Sequence, residues 1–206
     1  MARYLKFALP KGRLADSVFS VLEKAGYKIE VPKKTRKLVV TDEANQFKYY
    51  FVKPSDVVTY VDEGVCDIGV VGKDTILESS ASVYELFDLG IGKCKMVVAG
   101  LPNYTYQGEL RVATKYPKIA REYYAKTNQT VNIVKLNGSV ELGPILGLSD
   151  VIVDIYETGR TLRANGLEVI DDFLDISSRV IANKASYRQK YTEIKTLLNR
   201  LEQEGE

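Results

Sequence analysis

The residues best suited to chemistry follow a short apolar run near residue 150. Val151, Ile152 and Val153 precede Asp154, which predicts a buried strand that carries one carboxylate to its end. The turn that follows, before a helical pattern, reads Glu157-Thr158-Gly159-Arg160-Thr161. It can point several backbone N–H groups and two hydroxyls at one anion, and its glycine allows a close approach. The pattern therefore indicates a phosphate-binding turn with an acid beside it, although the same residues could simply end a strand and cap a helix.

A second candidate loop lies near the N-terminus. Lys11, Gly12 and Arg13 separate a predicted strand from a helix whose apolar residues share one stripe and which Gly26 ends. A loop between a strand and a helix, with two cationic side chains and a glycine, is suited to phosphate groups. The sequence thus contains two separate places where an anionic substrate could bind.

The absence of histidine excludes several mechanisms. With no histidine in the chain, serine–histidine–aspartate triads, cysteine–histidine dyads and histidine-ligated metal sites are ruled out. General acid–base catalysis would fall to carboxylates, lysine or tyrosine. The two cysteines, Cys66 and Cys94, lie far apart in the sequence, so we expect reduced thiols and no disulfide framework or zinc site.

The composition is that of an ordinary folded enzyme. A chain of 206 residues with 45% hydrophobic and 27% charged residues is long enough for one large domain or two small ones. A net charge of +2 gives no field suited to nucleic acid or an anionic membrane, and we expect neither as a partner. Lys6 interrupts and Pro10 ends the first apolar stretch, which fits neither a signal peptide nor a membrane span, so a cytoplasmic location is predicted.

The elements that must position these loops alternate along the chain. Apolar runs predict strands at residues 4–9, 38–41, 47–52, 67–72, 94–99, 110–114, 131–136, 151–154, 167–176 and 178–182. Helices are predicted over residues 14–25, 54–63 and 73–79, from Pro117, from Ser139, and before Asn165. This alternation is typical of an α/β protein whose sheets are covered on both faces.

The chain is predicted to form two lobes with a tail. Lobe I comprises residues 1–88 and 174–206, and lobe II comprises residues 89–173 and carries the candidate phosphate turn. No linker rich in proline, serine or glycine separates them. Apolar residues at helical spacing predict one long amphipathic helix over residues 184–203. Because loops gather at the carboxyl ends of strands, the crevice between lobes is the expected place for a ligand.

Asp154 and the following turn resemble the phosphoribosyl-pyrophosphate loop of phosphoribosyltransferases. Further segments, taken in order, are similar to the ATP phosphoribosyltransferase family of histidine biosynthesis over nearly the whole chain. They are Leu9-Pro10-Lys11-Gly12-Arg13-Leu14, Arg36-Lys37-Leu38, Asp67-Ile-Gly-Val-Val-Gly72-Lys73-Asp74, Cys94-Lys95, Ala113-Thr114-Lys115-Tyr116, Asn137-Gly138-Ser139-Val140-Glu141 and Arg163-Ala-Asn-Gly-Leu167. The length resembles the short, catalytic-only form.

The resemblance implies a fold, a reaction and a partner. The fold is that of type II periplasmic binding proteins, with the active site in the cleft between two α/β lobes. The reaction joins N1 of ATP to C1′ of phosphoribosyl pyrophosphate and releases pyrophosphate. Short-form chains work in a hetero-oligomer with a regulatory subunit similar to histidyl-tRNA synthetase. Mg²⁺ is the expected metal ion, held mainly by substrate oxygens and water.

The resemblance also assigns roles to individual residues. Asp154 would hold the ribose hydroxyls, and residues 157–161 would wrap the 5′-phosphate. Arg13 and Arg36 are the implied catalytic residues, although Arg36 lies in a basic run, residues 33–37, that composition alone would place in a solvated loop. The implied ATP contacts are Lys11, Gly12, Arg13, Asp74, Lys95 and Glu141. Asp74 and Glu141 could equally be acids in the first turn of a helix, and Lys95 could be a solvent-facing lysine on a strand.

Two other readings of the sequence stay open at this point. The same two-lobed fold serves solute-binding or ligand-sensing modules, which would not need the phosphate turn. Salvage-type phosphoribosyltransferases share that turn but usually present paired acids at the end of the strand, whereas Asp154 stands there alone.

Overall fold

A computed structural model of the chain describes residues 4–31 and 36–203. The chain divides into two compact units, residues 1–92 with 177–206 and residues 93–176. The predicted divisions, after residue 88 and before residue 174, lie a few residues from these. No helix in the described ranges is long and apolar enough to cross a bilayer.

The first unit is built on a mixed sheet of six strands. Its strands are β1 (Leu5–Pro10), β2 (Val39–Asp42), β3 (Phe47–Val52), β4 (Ile68–Gly72), β5 (Val83–Asp88) and β11 (Ser178–Asn183), in the order β2-β3-β1-β4-β11-β5. Its helices are α1 (Arg13–Lys24), α2 (Val57–Asp62), α3 (Lys73–Glu78), α7 (Lys184–Gln189) and α8 (Tyr191–Gln203). Strands β3, β1 and β4 are parallel, so their carboxyl ends meet at one edge of the sheet.

Alternation along β1 assigns its side chains to two cores. Leu5, Phe7 and Leu9 belong to a cluster that α1 and α8 complete, whereas Ala8 belongs to a cluster with buried residues of α2. Helix α2 lies so close to β4 that a Cβ on Gly69 would come 2.8 Å from Cγ2 of Val61. Both faces of this sheet are therefore covered, as the apolar strand patterns predict.

The second unit is a five-stranded sheet with three helices. Its strands are β6 (Cys94–Gly100), β7 (Leu110–Thr114), β8 (Val131–Lys135), β9 (Val151–Tyr156) and β10 (Glu168–Ile176), in the order β10-β6-β9-β7-β8. Its helices are α4 (Pro117–Lys126), α5 (Leu142–Ile145) and α6 (Arg160–Ala164). Strands β7, β8 and β9 are parallel, so the loops after them leave the sheet at the same edge.

The first unit contains one break and one strand that the sequence analysis does not predict. The tail forms two helices, because the backbone at Lys190 has φ −123° and ψ 34° and leaves the helical region between α7 and α8. The buried Nζ of Lys190 donates to Tyr4 O at 2.7 Å and pairs with the buried carboxylate of Asp67. Strand β5 was not predicted, since its burial does not alternate and it forms by pairing with the distant β11.

Candidate active site

The turn after β9 is where the sequence predicts phosphate binding. Val151, Ile152 and Val153 are buried, and Asp154 is partly exposed near the end of the strand. The chain then turns through Gly159, which has φ 67° and ψ 10°, before α6 begins. This left-handed conformation is the one that glycine adopts without the strain imposed by a Cβ. The local sequence therefore folds into a strand, a tight turn and a short helix, as predicted.

Two side chains approach Gly159 so closely that a Cβ there would have to displace them. A Cβ there would lie 2.5 Å from Cε2 of Tyr156, 2.7 Å from its hydroxyl oxygen and 2.8 Å from Nη1 of Arg163. Gly159 is itself buried, although its neighbours Thr158 and Arg160 are exposed. The turn is thus packed tightly on one side and open to solvent on the other.

The open side of the turn presents hydrogen-bond donors. Within residues 4–31 and 36–203, the amides of Thr158, Gly159, Arg160 and Thr161 have no protein acceptor, and neither threonine hydroxyl is bonded. Four consecutive amides and two hydroxyls in a turn can surround an anion with several oxygens. A phosphate group matches this set in charge and in the number of acceptors it offers.

These donors line an open cavity of about 250 Å³. Among the described residues its lining comprises Val97, Glu141, Asp154, Ile155, Tyr156, Glu157, Thr158, Gly159, Arg160, Thr161 and Leu162. All the residues predicted to bind phosphoribosyl pyrophosphate are therefore brought together. Glu141 joins them because it lies in the loop between β8 and α5, at the sheet edge where β9 also ends. The sequence alone did not place Glu141 beside Asp154.

The charges around this cavity favour a cation together with an anion. Glu141, Asp154 and Glu157 supply three carboxylates to the described lining, while Arg160 supplies one guanidinium. A phosphate ester alone would meet this excess of negative charge, whereas a hard divalent cation between ester and carboxylates would balance it. No cluster of three ligand-type side chains occurs in the described part of the chain. The three carboxylates of the lining offer oxygen ligands of the kind that a hard divalent cation prefers.

The second candidate loop lies at the carboxyl edge of the sheet in the first unit. The amide of Lys11 donates to Val52 O at 3.1 Å, which ties the loop to β3. Gly12 follows with φ 93° and ψ −149°, a conformation almost restricted to glycine. The side chains of Lys11 and Arg13 are exposed, and neither has an acidic partner among the residues described. Both cations are available to a polyphosphate.

Asp74 and Arg36 occupy contrasting positions in the first unit. The carboxylate of Asp74 is 9% exposed and folds back over Gly72, where a Cβ would come 2.2 Å from Oδ1. Its contact with the Thr75 hydroxyl is long, at 3.4 Å. Arg36 is exposed and precedes β2, while Lys33, Lys34 and Thr35 of the predicted basic loop lie outside the described residues. The role of Asp74 in ATP binding and the role of Arg36 in catalysis stay predictions.

Lys95 is placed near the candidate cavity but has a partner. It lies opposite Tyr156 in the pairing of β6 with β9, at the edge where the phosphate turn begins. Its Nζ is hydrogen-bonded to the carboxylate of Asp172, which raises the pKa of Lys95. Lys95 must leave Asp172, or share it, to bind a polyphosphate.

Arg163 and Tyr156 shape the turn, and sequence reasoning gave neither a role. Nη2 of Arg163 donates to the carbonyl oxygen of Thr158 at 2.8 Å. The spacing in the sequence could have indicated this contact, because residue 163 lies one helical turn beyond Gly159 and its side chain returns over that residue.

The two cysteines do not form a disulfide. Burial raises the pKa of the Cys66 thiol to about 12, which makes it a poor nucleophile.

Structural likeness to binding proteins describes the fold alone. The chain superposes on the *Bordetella pertussis* BvgS VFT2 domain with a TM-score of 0.58 at 13% identity, covering 96% of this chain and 86% of that one. The arginine-bound truncated ArgBP of *Thermotoga maritima* gives a TM-score of 0.56 at 10% identity, with coverages of 97% and 95%. The predicted α/β fold similar to periplasmic binding proteins is confirmed.

Likeness in sequence is far more specific. A profile of the family described as ATP phosphoribosyltransferase matches residues 53–203. The ATP phosphoribosyltransferase of *Clostridioides difficile* (strain 630) is 54% identical over 203 residues, covering 97% of this chain and 98% of its own length. That of *Oceanobacillus iheyensis* is 50% identical over 197 residues, with coverages of 94% and 95%. Among solved structures, a chain of the ATP phosphoribosyl transferase (HisG:HisZ) complex from *Thermotoga maritima* has a TM-score of 0.82 at 39% identity, with coverages of 97% and 98%. The resemblance seen in the motifs is confirmed, and the chain belongs to the ATP phosphoribosyltransferase family.

Proposed function

We propose that this ATP phosphoribosyltransferase binds the 5′-phosphate of phosphoribosyl pyrophosphate in the turn of residues 157–161 and the ribose hydroxyls through Asp154. The observation that carries the proposal is the set of amides and hydroxyls without protein acceptors around Gly159, which open on the cavity that Asp154 lines. Glu157 fits this role through its backbone, with its carboxylate directed at a cation or a basic group.

The reaction is the first step of histidine biosynthesis and needs positioning more than proton transfer. A bond forms from adenine N1 to C1′ while the bond from C1′ to the pyrophosphate oxygen breaks, with inversion at C1′. Adenine N1 is unprotonated at neutral pH and its lone pair can attack directly, so a strong general base is unnecessary. Negative charge grows on the departing pyrophosphate, and fixed cations aimed at it lower the barrier. A chain without histidine can perform this chemistry.

We assign the stabilisation of that charge to Arg13, with Arg36 as a second catalytic cation. Arg13 begins α1 next to the constrained Gly12, so its backbone is fixed while its guanidinium stays exposed. Lys11 and Gly12 of the same loop would bind ATP phosphates. A loop held by β1 and β3 limits the entropy that these cations lose on binding.

The other proposed ATP contacts are Asp74, Lys95 and Glu141. Glu141 is supported by its place in the cavity of the phosphate turn. Lys95 is supported by its position opposite Tyr156, at the end of β9 from which the phosphate turn follows. Asp74 is a buried carboxylate beside a strand end, suited to accept hydrogen bonds from a sugar or base.

The reaction of this family uses a metal ion, and we propose Mg²⁺. When bound, it would offset the negative charge of the pyrophosphate group and so stabilise that group as it departs. Glu141, Asp154 and Glu157 are the carboxylates of the cavity that would hold it, directly or through water.

We further propose that the chain works in a hetero-oligomer with a regulatory subunit similar to histidyl-tRNA synthetase. The support is the *Thermotoga maritima* chain, which was solved in a HisG:HisZ complex and which this chain covers over 98% of its length. A cytoplasmic location is part of the same proposal, because ATP and phosphoribosyl pyrophosphate are metabolites of the cell interior.

Pyrophosphate release is the experiment that tests this assignment. With the regulatory subunit supplied, release should require ATP, phosphoribosyl pyrophosphate and Mg²⁺ together, and omission of any one should abolish it. Thr158→Ala should raise the KM for phosphoribosyl pyrophosphate and leave the KM for ATP nearly unchanged. Thr105→Ala is the matched control, since Thr105 is an exposed threonine of the same unit outside the cavity lining. An unaltered affinity in Thr158→Ala would overturn the assignment of the turn, and binding without turnover would favour a sensing module.

A further inference from the structure

Arg163 is an exposed residue whose side chain contacts the phosphate turn. The side chain returns from the last turn of α6, and its Nη2 donates to the carbonyl oxygen of Thr158 at 2.8 Å. Its Nη1 lies over Gly159, 2.8 Å from where a Cβ would stand, beside the Tyr156 ring. Arg163 is not among the described residues that line the cavity. The guanidinium therefore contacts the turn without lining the cavity.

This contact fixes the direction of one peptide group. The carbonyl of Thr158 and the amide of Gly159 belong to the same planar trans peptide, so they point in opposite directions. A carbonyl that points at Arg163 therefore turns the Gly159 N–H away from this guanidinium, which is not among the described residues lining the cavity. Without the bond, this peptide could rotate at little cost, since glycine accepts both signs of φ. A rotated peptide would present an oxygen to the phosphate where a donor is needed.

We infer that Arg163 is a positioning residue for phosphoribosyl pyrophosphate, and that it acts by orienting the peptide between Thr158 and Gly159. The inference rests on the proposed function of the turn. It assigns to Arg163 no contact with substrate, and it makes a specific kinetic prediction. Loss of the guanidinium weakens phosphoribosyl pyrophosphate binding, while ATP binding and the stability of the fold change little.

The test compares Arg163→Met and Arg163→Lys in the complex with the regulatory subunit. Binding of phosphoribosyl pyrophosphate with Mg²⁺ is measured by titration calorimetry, and KM values for both substrates by pyrophosphate release. A hydrogen bond from a charged donor is worth enough to predict about a tenfold weaker binding in Arg163→Met. Arg163→Lys keeps a charged donor and should recover part of the affinity. Arg121→Met is the control, because Arg121 is an exposed arginine of the same unit on α4.

The outcomes separate this inference from the proposed function. If the wild-type complex releases no pyrophosphate, the proposed function fails, and the calorimetric comparison still decides the role of Arg163. If the wild type is active and Arg163→Met binds phosphoribosyl pyrophosphate normally, only the role of Arg163 is overturned. An equal rise in the KM of both substrates, or a lowered unfolding temperature that Arg163→Lys does not restore, would indicate a merely structural role and would also overturn it.

Discussion

Replacing Gly159 by alanine separates the two constraints that the structure places on this residue. The first is conformational, because φ at Gly159 is 67° and a residue with a Cβ pays about 1–2 kcal/mol in the left-handed region. The second is steric, because the new methyl group would come within 2.5 Å of the Tyr156 ring and 2.8 Å of Arg163 Nη1. A methyl group cannot be accommodated unless both side chains move.

Gly166 provides a control that shares only the first constraint. Its φ is 69°, and among the described residues no heavy atom beyond its own chain neighbours lies within 4 Å of the position its Cβ would take. Both Gly159→Ala and Gly166→Ala should therefore lower the free energy of unfolding by about 1–2 kcal/mol. Only Gly159→Ala should also displace Arg163 from the Thr158 carbonyl, because its new methyl group would stand where the guanidinium lies. Binding of phosphoribosyl pyrophosphate should then weaken by about tenfold or more.

Urea unfolding measures the first effect, and titration calorimetry with phosphoribosyl pyrophosphate and Mg²⁺ measures the second. We expect Gly159→Ala to lose at least as much stability as Gly166→Ala, because it adds a steric clash to the shared strain, and we expect a loss of affinity in Gly159→Ala alone. Normal affinity in Gly159→Ala would refute it, since the turn would then tolerate a side chain where the structure leaves no room. A matching loss of affinity in Gly166→Ala would refute it as well, because strain alone would then explain the effect.

Three further substitutions test other parts of the argument. Arg13→Ala should lower turnover by on the order of 10²-fold in the pyrophosphate assay, and unchanged turnover would remove Arg13 from the catalytic residues. Lys190→Met leaves the buried Asp67 carboxylate without its ammonium and should cost about 3–5 kcal/mol in urea unfolding, whereas a loss under about 1 kcal/mol would contradict that role. Hydrogen bonds from Arg111 lower the pKa of Asp150, so the stability that this pair contributes is present at neutral pH and is lost as the pH falls through the lowered pKa. Asp150→Asn should reduce that loss in urea unfolding on acidification below the usual aspartate pKa of about 4, and an unchanged acid dependence would contradict it.

The elements that the sequence predicts well are those whose signal is local. The buried run before Asp154 and the glycine after it predict a strand and a turn, and the structure has β9 and the turn there. Strand β5 has no such signal, because it exists through pairing with β11, nearly a hundred residues away in the chain. The break at Lys190 likewise depends on a buried partner, Asp67, that is distant in sequence.

The candidate site shows the same division between local and distant information. Residue types predict which groups can bind a phosphate, but they do not reveal which of these groups already have protein partners. Lys95 is an example, because its pairing with Asp172 depends on the register of β10 against β6, and that register contains two irregularities. Glu141 is another, since it reaches the cavity only through the order of strands in the sheet.

Recognition of a phosphate by the main chain changes which residues matter for affinity. A side chain that can bind phosphate is recognised in the sequence by its residue type. Every residue except proline has a backbone amide, so only the conformation of the turn shows which amides point at the ligand. In this turn that conformation depends on the space left at Gly159, on the ring of Tyr156 and on the bond that Arg163 gives to Thr158. Arg163 is not among the described residues that line the cavity, yet its bond to Thr158 determines where the Gly159 amide points. Affinity for the sugar phosphate should therefore respond to substitutions on the packed side of the turn as strongly as to those on its open side.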